Sequence, residues 1–379
     1  MNPLQELSAS GQSLWLDYIT RTMLHDGTLA RMIRDDAITG QTSNPTIFEK
    51  ALAEGTAYDE QIRTAGGDLK SWELFELVET DDVRAACDAF RAVFTRTRGC
   101  DGFVSIEVSP GAAHDADATV EEGHRLWKAV GRPNLMVKVP GTPEGAKAVR
   151  RLIADGINVN VTLLFSLEAY ARVIDAYLGG LEDRLAKGQE IAAVRSVASF
   201  FVSRVDSEID KRLDAKIAAA PDAAATARLE GLKGKAAVAN AKLAYQLFLK
   251  EFSSPRWQAI DAMGGEFQRP LWASTGTKNK AYSDVKYVEE LIGPNSVNTL
   301  PPATIDAFRD HGTVARAVDV DVEAAERTIA ELEAAGIPID EVTDQLLTEG
   351  LASFQKSFDT LIAGLEGKSA QLGRVLAKA

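Results

Sequence analysis

Eight short runs of apolar or β-branched residues recur along the chain, and segments with helical periodicity separate them. The runs cover residues 14–17, 38–42, 103–108, 135–139, 157–164, 197–203, 271–274 and 296–299. Strands that are joined by single helices form βαβ units, in which the strands lie parallel in one sheet. Eight such strands favour a closed barrel over an open doubly wound sheet, because no G-x-G-x-x-G loop follows the first strand. The sequence therefore predicts an α/β protein with a (β/α)8 TIM-barrel fold.

Several helix boundaries can be placed from local signals. Thr119 with Glu122 predicts a capping box at the start of one helix. Ser166 precedes a longer amphipathic stretch that should end near Ala186. These signals place helices between the predicted strands, as a barrel of βα units requires.

The chain is longer than a minimal barrel, and the additional segments have helical patterns. Residues 49–99 and 204–268 are two such insertions. The C-terminal part of the chain is helical and acidic, with a predicted break at residues 364–369. We expect residues 1–379 to form a single barrel domain, with residues 313–379 as a helical C-terminal extension packed on the barrel.

The composition argues against several classes of protein. The four histidines are isolated and the two cysteines form no C-x-x-C pair, which argues against a multi-histidine metal site and a disulfide scaffold. The net charge of −13 argues against nucleic-acid binding, which usually needs a basic face. Neither a signal peptide nor an apolar window of about 18 residues is evident, so we expect a cytoplasmic protein without membrane contact. The chemistry should then come from carboxylates, lysines, hydroxyls and amides, without a metal.

Polar side chains alternate with aliphatic ones along several predicted strands. Period-two alternation puts these residues on the polar faces: Asp17; Ser105 and Glu107; Lys138; Asn158, Asn160 and Thr162. An antiparallel sheet with one solvated face would also alternate in this way. The intervening helices favour a parallel barrel instead, in which these side chains point inward and must be paired or functional. They also cluster at the C-terminal ends of strands, where barrel enzymes hold their catalytic groups.

Lys138 is the natural centre of this set. Burial in an apolar strand lowers the pKa of a lysine and frees its amine to attack a carbonyl group. The alternative is a structural ion pair with Glu107 or Asp17. Without a metal or an evident cofactor motif, a nucleophilic lysine beside acids indicates Schiff-base aldol chemistry.

The sequence resembles the transaldolases, enzymes of the pentose phosphate pathway that move a dihydroxyacetone unit between sugar phosphates. The matching blocks are residues 42–48, 106–110, 135–142, 156–166, 199–204 and 273–279. They occur in the family's order, and the resemblance extends from about Leu14 to Gly312.

The resemblance implies a role for each matching residue. It makes Lys138 the Schiff-base lysine, Asp17 the general acid/base in carbon–carbon cleavage, and Glu107 and Thr162 the pair that positions a catalytic water. The substrate-binding residues that it implies are Asn44 and Asn160 for hydroxyls and the enamine, and Ser199, Arg204 and Lys278 for phosphate. Many relatives have arginine where Lys278 stands. Phe201 shares a strand face with Ser199, so we expect it to line the pocket, although it could instead fill the barrel core.

The implied reaction transfers dihydroxyacetone from sedoheptulose 7-phosphate or fructose 6-phosphate to glyceraldehyde 3-phosphate or erythrose 4-phosphate, with no cofactor. One alternative is a sugar-phosphate aldolase of the same superfamily, and another is a non-catalytic sugar-phosphate sensor. The expected partners are small sugar phosphates alone, for a monomer or a homodimer. Arg204, Lys278 and the imine at Lys138 should form a local basic pocket in an otherwise acidic molecule.

Overall fold

Eight parallel strands form a closed barrel in the computed structural model, which describes residues 2–53, 55–65 and 69–373. The strands are β1 (Gln12–Asp17), β2 (Ile38–Thr42), β3 (Val104–Glu107), β4 (Leu135–Pro140), β5 (Val159–Leu164), β6 (Ser196–Phe201), β7 (Gln268–Ala273) and β8 (Ser296–Leu300). Each strand pairs with the next in sequence, and β8 pairs with β1 to close the barrel. The predicted (β/α)8 TIM barrel is confirmed.

Helices surround the barrel and fill the connections between strands. Within the described ranges they are α1 (Pro3–Ala9), α2 (Arg21–His25), α3 (Thr28–Asp35), α4 (Pro45–Ala53), α5 (Asp59–Thr64), α6 (Ser71–Ala89), α7 (Arg91–Arg96), α8 (Ala116–Val130), α9 (Pro143–Ala154), α10 (Leu167–Ala186), α11 (Ser203–Ala218), α12 (Ala223–Glu230), α13 (Ala236–Glu251), α14 (Pro255–Asp261), α15 (Lys286–Glu289), α16 (Pro302–His311), α17 (Val322–Ala334) and α18 (Ile339–Gln371). A short 3-10 helix, Pro110–Ala112, follows β3. Among the residues described, no helix has the length and apolar character needed to cross a membrane.

One of the two helix starts predicted from capping signals agrees with the structure, and the other does not. Ser166 accepts a hydrogen bond from the Ala169 amide and α10 ends at Ala186, as predicted. The capping box of Thr119 and Glu122 is wrong, because α8 begins earlier, with Asp115 as its N-cap. The Asp115 carboxylate already accepts from two backbone amides of the first turn, so Thr119 lies inside the helix.

The C-terminal helix α18 is continuous over 33 residues and therefore about 50 Å long. The predicted break at residues 364–369 is wrong. Gly364 is exposed, while Leu361, Leu365 and Ser369 are buried against the rest of the protein and hold the helix in place. α18 lies against α4, where Ser357 and Thr46 are hydrogen-bonded through their hydroxyls at 2.8 Å. It thereby passes over the C-terminal ends of the barrel strands.

Candidate active site

A cavity of about 350 Å³, here called the front cavity, opens at the C-terminal ends of the strands. Seven of the ten residues predicted for the site line it: Asp17, Asn44, Lys138, Thr162, Ser199, Phe201 and Arg204. Its volume is that of a small-molecule site. The remaining three predicted residues, Glu107, Asn160 and Lys278, lie outside its wall at positions described below.

Lys138 lies on β4 and is 4% exposed. Its Nζ donates to Glu107 Oε2 at 2.9 Å and to the carbonyl oxygen of Ser43 at 3.1 Å. Glu107 and Lys138 are register partners on β3 and β4, so their side chains emerge side by side into the barrel. The ion pair considered as an alternative is therefore present, and the same lysine also faces the front cavity.

The two carboxyl groups of the site are shifted in the same direction. Burial raises the pKa of Glu107, and the charge of Lys138 and its hydrogen bond oppose that rise. Burial also raises the pKa of Asp17, against the opposing effects of Lys138, the Thr42 hydrogen bond and Arg204. Raised pKa values suit carboxyl groups that exchange protons with a substrate near neutral pH.

Asp17 is held at the end of β1 by a short chain of hydroxyl groups. Thr42 Oγ1 donates to Asp17 Oδ1 at 2.8 Å, and Thr42 and Thr299 are linked through their hydroxyls at 2.8 Å. These residues come from β1, β2 and β8, so the closure of the barrel positions the acid. The prediction missed both threonines, although Thr42 opens a matching block and Thr299 ends a predicted strand.

Thr162 lies where β5 departs from regular geometry. The pairing of β5 with β6 shifts register between Val161 and Leu164, and Leu163 has a φ of 58°. A left-handed conformation at a leucine is strained, and such strain concentrates at functional sites. The Thr162 hydroxyl is buried and has no hydrogen-bond partner among the described residues, so it can bond to a bound molecule.

The two asparagines have different surroundings. Asn160 does not line the cavity, and its Nδ2 donates to Ser105 Oγ at 2.9 Å while its Oδ1 accepts from Ser199 Oγ at 2.7 Å. Its amide is therefore occupied by side chains of β3 and β6. Asn44 lines the cavity and its Oδ1 accepts from the Ile47 amide at the start of α4, which leaves the Nδ2 group available.

The basic end of the cavity contains Arg204, at the start of α11. Its guanidinium carbon lies 5.3 Å from the ring centroid of Phe201, which lines the cavity as predicted. Among the residues that the structure describes, none forms a hydrogen bond or ion pair with the Arg204 guanidinium. Burial lowers the pKa of Arg204, and the charges of Asp17 and Glu349 oppose that effect. Lys278 is exposed and does not line the cavity, and desolvation and the charge of Arg204 lower its pKa.

Two further cavity residues come from helices that the site prediction did not use. Phe354 of α18 lines the cavity, with Lys138 Nζ 5.8 Å from its ring centroid. Lys50 of α4 adds an exposed positive charge. No local sequence signal marks Phe354, because its contact with the site depends on how α18 packs.

No group of three or more His, Cys, Asp and Glu side chains within the described ranges is arranged to hold a metal ion. The polar side chains that line the front cavity are instead two amines, one carboxyl, several hydroxyls, one amide and a guanidinium, and the Glu107 carboxylate bonds to one of the amines from outside the wall. This set can form and break covalent bonds to a carbonyl carbon and can bind an anion.

Comparison with known proteins identifies the family over nearly the whole length of the chain. A family model described as Transaldolase/Fructose-6-phosphate aldolase matches residues 14–365. A protein of Trichodesmium erythraeum named Transaldolase is 50% identical over 374 residues, 98% of each chain. One of Saccharopolyspora erythraea with the same name is 50% identical over 366 residues, 95% of each chain. The chain belongs to the transaldolase/fructose-6-phosphate aldolase family, as an enzyme of the transferase type.

Proposed function

We propose that this enzyme transfers a dihydroxyacetone unit from a ketose phosphate to an aldose phosphate through a Schiff base on Lys138. The observation that carries the proposal is a buried lysine, bonded to one carboxylate, in a cavity that also contains a second acid and an unpaired guanidinium. The donors would be sedoheptulose 7-phosphate or fructose 6-phosphate. The acceptors would be glyceraldehyde 3-phosphate or erythrose 4-phosphate.

Formation of the imine requires a neutral amine. Glu107 can take a proton from Lys138 along their 2.9 Å hydrogen bond, since burial raises the pKa of this carboxyl. The amine then adds to the C2 carbonyl of the ketose, and loss of water gives the protonated imine. Thr162 has a free hydroxyl in the cavity wall with which to hold that water.

Cleavage of the C3–C4 bond requires a base for the C4 hydroxyl. Asp17, bonded to Thr42, would remove that proton while the electrons of the breaking bond flow into the imine and form an enamine. The aldose leaves, an acceptor aldehyde enters, and the steps run in reverse. Asn44 would hold substrate hydroxyls. Asn160 would stabilise the enamine, with its amide held in position by hydrogen bonds to Ser199 and Ser105.

The phosphate group would bind at the basic end of the cavity. Arg204 offers a planar fork of donors with no partner among the described residues, which suits a phosphate dianion. Lys278 would add a positive charge near Arg204, and Phe201 would support the guanidinium. Ser199 would contribute less directly, because its hydroxyl already donates to Asn160.

The side chain of Phe354 covers the site and thereby favours transfer over simple aldol cleavage. Phe354 lies over Lys138 and is 5% exposed, so it limits the access of water to an enamine held there. Exclusion of water preserves the enamine for an incoming aldehyde. The relatives with about 50% identity are likewise named transaldolases.

Borohydride trapping tests the covalent step. Reduction in the presence of fructose 6-phosphate should attach the three-carbon unit to Lys138, as read by peptide mapping, and Lys138→Ala should abolish the adduct while the fold is retained. Lys147→Ala is a matched control, because Lys147 is exposed on α9. An adduct at another residue, or none in the unmodified protein, would refute the mechanism.

A coupled assay with and without erythrose 4-phosphate separates the two activities of the family. A transaldolase should turn over fructose 6-phosphate much faster with the acceptor present. Turnover that does not respond to the acceptor would identify an aldolase instead.

The wider context is also a proposal. We expect the enzyme to act in the pentose phosphate pathway, in the cytoplasm, and residues 1–379 to form one domain with the helices after residue 313 packed on the barrel. Its partners would be sugar phosphates alone.

A further inference from the structure

A second cavity of about 560 Å³, here called the rear cavity, lies outside the barrel between α6, α8 and the turn that follows β3. One face of each helix lines it, because the lining residues recur at spacings of three and four. They are Trp72, Phe75, Glu76 and Glu79 of α6, and Ala118, Glu121, Glu122 and Arg125 of α8. Its volume is that of a small-molecule site, and within the described ranges it shares no lining residue with the front cavity.

The rear cavity has an aromatic wall. Phe75 of α6 and Phe358 of α18 both line it and pack edge to face, with their ring centroids 5.8 Å apart. Trp72 also lines it and is 38% exposed, which is unusual for a side chain of this size. A ligand with an apolar body would cover these rings and remove apolar surface from water.

The ionisable groups of the wall are mostly acidic. Arg125 is already paired with Glu76 at 2.8 Å and with Glu122 at 3.4 Å. Two further acids, Glu79 and Glu121, line the cavity and form no hydrogen bond or ion pair with any residue in the described ranges. The uncompensated charge of the wall is therefore negative, so the cavity should attract a cation and repel an anion.

Glu79 is the group in this cavity that the fold leaves without a partner. Its side chain is only 5% exposed. The carboxylate oxygens are not fully enclosed, since Glu79 keeps a small accessible surface and lines the cavity. An ionised carboxylate in such a place carries a large desolvation penalty, and a bound cation that donates hydrogen bonds to it would offset that penalty.

An organic ammonium ion fits this wall better than a metal ion does. Among the residues described, no group of three or more His, Cys, Asp and Glu side chains is arranged to hold a metal. A primary ammonium group offers three hydrogen-bond donors in a compact head, and aromatic faces attract such a head. A hydrocarbon or aromatic body attached to it would use the apolar part of the wall.

We propose that the rear cavity binds a primary ammonium ion with an apolar body. Its charged head would lie on Glu79, and its body would lie against Trp72, Phe75 and Phe358. The site is distinct from the front cavity, so the proposal does not depend on the chemistry at Lys138.

Isothermal titration calorimetry of the full chain tests the proposal with two probes of similar shape. The cation 2-phenylethylammonium should bind saturably, at one site per chain, and the uncharged 2-phenylethanol should bind about tenfold or more weakly. Saturation of the front cavity with fructose 6-phosphate should leave the affinity for the cation unchanged.

The affinity for the cation should also rise with pH. Burial raises the pKa of Glu79 well above its ordinary value, which favours the protonated form in the empty cavity. The neighbouring acids whose charges raise the pKa further are Glu122, Glu107, Glu76 and Asp82. An ammonium ion requires the ionised form, so binding should release a proton, and the affinity should increase between about pH 5 and pH 8.

Three variants make the test specific. Glu79→Gln keeps the shape and removes the charge, so it should weaken binding of the cation about tenfold or more, remove its pH dependence and leave 2-phenylethanol unaffected. Asp81→Asn changes a half-exposed acid of the same helix that pairs with Arg84 outside the cavity, and it should bind the cation as the wild type does. Trp72→Ala should weaken binding of both probes, and this partly exposed position tests the site even if Glu79→Gln disturbs the fold.

Several results would overturn the proposal. They are the absence of saturable binding of the cation in the millimolar range, an equal affinity for 2-phenylethanol, and wild-type affinity in Glu79→Gln or in Trp72→Ala. Displacement of the cation by fructose 6-phosphate would also overturn it, because the cation would then occupy the front cavity. Failure of the Lys138 chemistry would leave these measurements unchanged, so the two proposals can fail separately.

Discussion

Replacing Arg204 by methionine should separate phosphate recognition from stability. Arg204 lines the front cavity without a hydrogen-bond partner among the described residues, and burial lowers its pKa. The folded protein therefore bears the cost of partly desolvating this charge. Methionine keeps an apolar stem against Phe201, so the free energy of unfolding should stay the same or rise.

The loss in catalysis follows from the hydrogen bonds that a guanidinium can make. Two charge-assisted bonds to a phosphate dianion contribute about 1.5–3 kcal/mol each, and Lys278 would retain part of the attraction. At 1.4 kcal/mol per factor of ten, we expect kcat/KM for fructose 6-phosphate to fall roughly 100-fold, mostly through KM. The value for unphosphorylated fructose should hardly change.

The assay compares kcat/KM for both ketoses in Arg204→Met and in Lys211→Met. Lys211 lies on the same helix and is exposed, so its replacement removes the same charge away from the cavity. A loss below threefold with fructose 6-phosphate, or an equal loss with both ketoses, would refute the assignment of Arg204 to phosphate. A large fall in thermal stability would refute the claim that its charge is costly.

Three further predictions concern the cover, the packing and the pH dependence of stability. Phe354→Ala should increase acceptor-independent cleavage of fructose 6-phosphate in the coupled assay, because water reaches the enamine, whereas Phe354→Leu should do so much less. Gly145→Ala should lower the free energy of unfolding, measured in urea, by about 3 kcal/mol, because the new Cβ would lie 1.9 Å from the Pro140 carbonyl oxygen. Gly364→Ala should raise the free energy of unfolding by about 1 kcal/mol, because Gly364 lies in a helix with open space around it. Burial raises the pKa of Asp206 to about 6, so its stabilising contribution is complete below the unfolded pKa near 3.8 and is lost as the pH rises through 6. The unfolding free energy of Asp206→Asn relative to wild type should therefore rise by about 2 kcal/mol between pH 4 and pH 7, and a constant difference would contradict this.

The barrel and much of its chemistry follow from local patterns. Strands that alternate between β-branched and polar residues could be read directly, and the parallel register then puts Glu107 beside Lys138. The start of α8 could not be predicted in this way, because Asp115 and Thr119 both have side chains that can cap a helix. Which of them is the N-cap depends on the tertiary structure and not on the local sequence.

The residues that the sequence analysis missed contact elements that are far away in the sequence. Phe354 reaches Lys138 only because α18 lies over the barrel, and nothing in its neighbourhood distinguishes it from other apolar helix positions. Glu79 looks like an ordinary surface acid of an amphipathic helix until α8 and β3 enclose it. Burial of a charged residue against a remote element has no signature in a local window.

The seam between β1 and β8 also determines when the site is completed during folding. Gln12 and Ser296 meet there at 2.9 Å although they are 284 positions apart, and closing a loop of that length costs about 5 kcal/mol in chain entropy. The pairing of β3 with β4 spans far less chain, so Lys138 and Glu107 can meet in a half-formed sheet. Asp17 and Thr299 come together only when β1 pairs with β8 and the barrel closes. Lys138 should thus acquire its partner Glu107 early, and Asp17 should reach its final position in the slow closing step.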